Sequence, residues 1–229
     1  MPNWCQNSVV IDFSEADLSH LVKMREFIQN SESKDGLFQL FYPMPSELNI
    51  VSGRVGSEDD PKQITLEEQY QSNKEKYGFK DWYDWRNANW GTKWDVGRDD
   101  VVVGEFQHGD KVVDLHEATK FNLSFDTAWG PASAFFGWIW DELKIMSENA
   151  YLEDGMCFCG TDVCGVSDES YDSIDELRGW KVGELLQPLV DSHFDMADDL
   201  SPKEMEDKEI EEETKLSNDN GTEDDQRID

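Results

Sequence analysis

KFNLSFDTAWGPASAFFGWIWDELKIMSENAYLEDGMCFCGTDV, residues 120–163, carries the signs of strand, helix and strand in one run. Phe121, Leu123 and Phe125 alternate with polar residues, the period of a half-buried strand. Gly130-Pro131 then opens a helix expected over 131–148, with Pro near the first helical position, where its missing N–H costs little. Phe135, Ile139, Leu143 and Met146 make one stripe, while Phe136 and Trp140 lie well around from it. A helix apolar on two sides is expected to be covered on both. Residues 150–163 supply a last strand containing a turn-like Glu153-Asp154-Gly155.

Working outward, NSVVIDF (7–13) reads as a strand and 14–30 as a helix, with Ser14 as N-cap, Asp17 in the first turn and Leu18, Leu21, Val22 and Ile28 at helical spacing. GLFQLFY (36–42) reads as a second strand closed by Pro43 and Pro45, which cannot donate to a ladder. Residues 43–98 then form an insertion. It holds a helix from the Thr65…Glu68 capping box to Gly78, and another over 79–89 with Trp82 and Trp85 on one face. VVVGEFQ and KVVDL flank His108-Gly109-Asp110 as a hairpin. Ser173…Glu176 caps one or two further helices, broken near Gly183 and Pro188.

This order predicts an α+β chain: a ferredoxin-like, split βαβ antiparallel sheet with a Trp-rich insertion and a C-terminal helical extension. The expected organisation is a domain over 1–160, a helical extension over 161–200 packed on it, and a disordered acidic tail over 201–229. The insertion is the expected cover for the second sheet face.

The formal net charge is −31. Residues 201–229 hold 12 acids and 4 bases, so the first 200 residues still carry 39 acids against 16 bases. Such a body repels nucleic-acid and membrane phosphates and attracts basic partners. No stretch approaches 18 uncharged apolar residues, and the N-terminus lacks a basic and apolar leader, so a cytoplasmic protein with free thiols at Cys5, Cys157, Cys159 and Cys164 is expected.

Five motifs, MPNWCQN (1–7), FYPMP (41–45), WRNANWGTKWD (85–95), FDTAWGPASAFF (125–136) and YLEDGMCFCG (151–160), carry a resemblance. Together they resemble the YubB ferredoxin-like domain family of phages and conjugative plasmids, over roughly residues 1–160. The resemblance implies a ferredoxin-like fold without an iron–sulfur cluster and a mobile-element origin. It transfers no catalytic residue. The acidic C-terminal extension departs from the family pattern.

The Trp motif, Trp4, Trp85, Arg86, Trp90, Trp94 and Trp129, is assigned to packing, with Arg86 in a cation–π contact. Its functional alternative is a single-strand stacking platform using Arg86 and Lys93, which the acidic body disfavours. Cys157, Cys159 and Cys164 form C-x-C-x4-C; with Cys5 or His108 it is a weak zinc pattern, and Cys157 and Cys159 as small buried thiols on one strand face explain it better. His20, His108, His116 and His193 are scattered. No cofactor, metal or catalytic residue is expected.

The acidic patches are the expected partner-binding residues: Glu58, Asp59 and Asp60; Asp168, Glu169, Asp172, Asp175 and Glu176; Asp191, Asp195, Asp198 and Asp199. At one charge per about 1.7 Å of duplex axis, 23 net charges match about 40 Å of DNA, close to the diameter of a 200-residue domain. The expected function is therefore a non-enzymatic accessory protein of a phage or plasmid that mimics DNA. Its expected partner is a basic or nucleic-acid-binding host protein, with no direct contact to nucleic acid or membrane. The alternatives are a metal- or thiol-dependent enzyme and an assembly or scaffold protein using the C-terminal helical segment.

Overall fold

The computed structural model describes residues 3–30, 35–179 and 181–196. The chain divides into two compact units, Met1–Leu189 and Val190–Asp229. In the first unit the elements run β1 (Trp4–Asp12), α1 (Leu18–Gln29), α2 (Leu37–Phe41), α3 (Pro61–Tyr77), α4 (Trp82–Asn89), β2 (Val102–His108), β3 (Lys111–Val112), β4 (Lys120–Ala128), α5 (Ser133–Leu143), β5 (Met146–Glu153), β6 (Phe158–Val163) and β7 (Val166–Tyr171). Residues 187–196 are helical, and of the second unit only 190–196 are described. The expected tail at 201–229 lies outside the described residues.

The architecture is α+β: one open antiparallel sheet of seven strands in the order β3-β2-β4-β1-β5-β6-β7. The chain leaves β1, passes through α1 to α4 and returns as β2, two places away. It leaves β4 through α5 and returns as β5, again two places away. Register explains the main core. Val9 and Ile11 pair with Leu123 and Phe121 on one face, and Met24 and Phe27 of α1, Phe38 of α2, and Phe135 and Ile139 of α5 close over them. Each buried ring or branched chain contributes about 1.5–3 kcal/mol relative to exposure.

Several expectations are corrected. Residues 36–42 are not a strand, because Leu37, Phe38 and Phe41 are buried at helical spacing. The N-terminal N–H groups of α2 are satisfied by the distant Asp95 carboxylate, which accepts from Phe38 N at 2.8 Å and Gln39 N at 3.2 Å. Asp17, not Ser14, caps α1, and Leu18 and Val22 face solvent. Helix α3 begins at Pro61 on the cap Asp60, not at Thr65, whose hydroxyl bonds back to Pro61 O. Gly78 does end it, at φ 79°. Lys144 stops α5 in the left-handed region, so Met146 begins β5 rather than extending the helical stripe.

The sheet also runs past residue 160. The Glu153–Gly155 turn separates two strands, held by the buried Glu153 carboxylate accepting from Gly155 N (2.9 Å) and Met156 N (2.7 Å). Strand β7 then occupies 166–171, where a helical extension was expected, and Ser173…Glu176 starts only a single 3-10 turn at Asp175–Leu177. Cys164 (φ 51°) and Gly165 (φ 75°) form the two-residue turn between β6 and β7, the positive-φ pair that a tight hairpin requires.

The Trp-rich insertion packs on the helix-covered face, since Trp85, Trp90 and Val96 belong to the main core. On the opposite face, Ala150, Leu152 and Cys159 are buried, and after β7 the first unit buries the apolar residues Ile174, Leu177 and Leu186. The chain there is tied to the sheet by Ile174 N to Cys157 O and Gly183 N to Glu169. Among the described residues no helix is long and apolar enough to cross a membrane.

Candidate functional site

Helix α3 is built unlike the others. Its inward positions are Gln63, Leu66, Tyr70 and Asn73, and none of these belongs to the main core. Polar anchors hold it instead. Gln63 Oε1 accepts from Val55 N (2.9 Å), the Tyr70 hydroxyl donates to Val51 O (2.6 Å), and Asn73 Nδ2 donates to Glu47 O (3.2 Å) and Lys80 O (3.0 Å). Each such bond contributes about 0.5–1.5 kcal/mol net, enough to fix a loop. The outer face therefore owes nothing to packing. Beside it runs a groove of about 730 Å³ lined by Glu58, Glu67, Glu68 and Glu75, with Ile64 exposed among them and Arg54 as its cation. Arg54 is already paired with Glu58 at 2.9 Å.

The predicted patches fall on separate elements. Glu58 and Asp59 are exposed beside α3, while Asp60 caps it through Lys62 N at 2.8 Å. Asp168, Asp172, Asp175 and Glu176 are exposed on and after β7, whereas Glu169 is occupied by Tyr171 OH and Gly183 N. Asp191 and Asp195 lie one helical turn apart in the second unit, and Asp198 and Asp199 fall outside the described residues. The sequence reading missed Glu67, Glu68 and Glu75. Their signal was the i, i+7 and i, i+8 spacing that brings Glu75 round to the exposed side of the helix holding Glu68 and Glu67.

The Trp motif divides. Trp90 is 0% exposed and donates from Nε1 to Tyr42 O at 3.0 Å; Trp85 meets it edge-on at 5.6 Å. The Arg86 guanidinium lies 5.3 Å from the Trp82 ring and 4.9 Å from the Trp90 ring, the expected cation–π contact. Gly91 (φ 81°) turns the chain where a side chain would press on Pro131 O, and buried Thr92 exchanges hydrogen bonds with Ala128. Trp94 then emerges. It packs against Trp4, itself 49% exposed, with ring centroids 5.6 Å apart, and Lys93 Nζ lies 4.1 Å from the Trp94 ring centre. Trp129 is 48% exposed and held at φ 75°. Trp4 and Trp129 are thus half exposed, where packing had been expected.

No family model and no curated protein matches the chain. Among solved structures, the protein api92 from Yersinia pseudotuberculosis, described with the family model DUF1281, is similar over 75% of this chain and 98% of its own, at 11% identity and a TM-score of 0.35. A likeness that low carries no argument about fold or function.

The cysteines also separate. Cys157 lies in the turn before β6 at φ 58°, so it does not share a strand face with Cys159 as expected, and Cys164 lies in the turn after β6. Burial pushes the Cys5 thiol well above its ordinary range and that of Cys159 up to about 11, with Glu169 adding to the latter, which disfavours a thiolate nucleophile at either. Among the described residues no three His, Cys, Asp or Glu side chains converge as metal ligands.

Proposed function

We propose that this chain is a binding protein that offers the carboxylates of α3 to a basic protein surface otherwise occupied by nucleic acid. The observation that carries this reading is α3 itself, a 17-residue helix outside the main core whose groove holds four glutamates around an exposed Ile64. Charge complementarity favours Arg- and Lys-rich partners, and the net charge of −31 extends the attraction beyond the groove.

The role proposed is that of a phage or plasmid accessory protein acting on a host factor, in keeping with the YubB-like motifs. A ferredoxin-like assignment for the four central strands belongs to the same proposal. It is supported by their order β2-β4-β1-β5 and by helices in both connections that skip a strand.

The test uses the full chain and its E58Q/E67Q/E68Q/E75Q variant as baits in host lysate, with short duplex DNA as competitor. A partner held at about 50 mM salt, released near 200 mM or by duplex, and lost by the variant supports the proposal. Capture that ignores salt, duplex and variant alike overturns it.

A further inference from the structure

Where β1 begins and β4 ends, Trp4 and Trp94 stand beside Asp126, Asp95 and Asp100 around a cleft of about 270 Å³. The three carboxylates are not equivalent. Asp95 is consumed by the backbone N–H groups of Phe38, Gln39 and Val96. Asp100 and Asp126 have no hydrogen bond or ion pair to their carboxylates among the described residues. Burial raises the Asp126 carboxyl above its ordinary range with nothing opposing it. An indole pair next to two unspent carboxylates attracts a weakly hydrated, planar cation, which stacks on the ring and offers a fork of donors to oxygen.

We infer that this cleft binds the guanidinium of an arginine side chain from a partner protein, with Trp4 as the stacking surface beside Trp94, whose ring centre already has Lys93 Nζ 4.1 Å away, and Asp100 and Asp126 as acceptors. Arginine fits better than a nucleobase, because a base brings a phosphate that both aspartates repel. The cleft shares no lining residue with the α3 groove, so the inference does not rest on that site.

The experiment follows the indole Nε1–H signals of the ¹⁵N-labelled full chain by NMR, assigned with W4F and W94F, while acetyl-Gly-Arg-Gly-amide is added. The uncharged citrulline peptide and a thymidine hexanucleotide serve as the other probes. The expected result is a saturable shift of the Trp4 and Trp94 signals by the arginine peptide alone, weakened about tenfold in D126N and in D100N, whose cooperative melting and dispersed amide spectra show intact folding. The α3 quadruple-glutamine variant keeps the shift, so the two proposals fail separately. Equal response to citrulline, tighter response to the hexanucleotide, or no response overturns the inference.

Discussion

Trp90 and Trp94 are four residues apart and have opposite fates. Trp90 is fully enclosed and hydrogen-bonded, while Trp94 leans on the half-exposed Trp4. Gly91 and Thr92 cause the divergence, the one reversing the chain against Pro131 and the other locking it to the end of β4. Replacing Trp90 by Ala removes a core ring and is expected to cost about 3–5 kcal/mol, whereas Trp94→Ala costs below about 1 kcal/mol. Urea midpoints of the two variants check this, and equal losses would return Trp94 to the core. From sequence alone the two indoles look alike, because spacing of four places both on one helical face. Only the break of α4 after Asn89 separates them.

At the scale of elements, what could be read was what alternates or carries its own cap. β1 and β4 bury every second residue, the β2–β3 hairpin announces its turn with Gly109-Asp110, and α3 ends at Gly78. What was hidden depends on partners far along the chain. Helix α2 is five residues with a glycine at its N-cap, and its cap arrives from Asp95, so GLFQLFY alone resembles a strand. Strand β7 was hidden because its turn is Cys164-Gly165 rather than the familiar Asn-Gly. The candidate groove was equally obscure, since three of its glutamates are spread over two turns of α3. The β6–β7 turn provides a test. A Cβ on Gly165 would come within 2.2 Å of Ser133 O and 2.5 Å of Gly137 N, and φ is already 75°. Gly165→Ala is therefore expected to destabilise by more than about 2 kcal/mol by prising the hairpin from α5, seen as a lowered Tm and faster amide exchange in 158–171.

For the whole molecule, acidity shapes stability as well as association. Burial raises the carboxyls of Asp95, Asp126 and Asp162 above their ordinary range, despite the bonds from Ser133 and Asn149 to Asp162. A folded state with raised carboxyls holds more protons than the unfolded chain, so stability grows as pH falls from neutrality through that raised range. Relief of self-repulsion acts in the same direction. Backbone and side-chain bonds act oppositely at Glu47, lowered to about 2, and its contribution, present above the ordinary carboxylate range, is lost as pH falls toward that value. The expected profile rises from about pH 7 to about pH 5 and turns over near pH 4. Urea midpoints across that span check it, with a flatter rise in Asp162→Asn; a monotonic fall from pH 7 would contradict it.

Strand β7 closes one end of the sheet with its outer backbone groups unmatched by another strand among the described residues. Its side chains Asp168 and Glu169, with Asp172 just beyond, put like charges where a second molecule would lay its own ribbon. Crowded copies thus keep one another at a distance by mutual repulsion, and this edge stays unpaired between molecules.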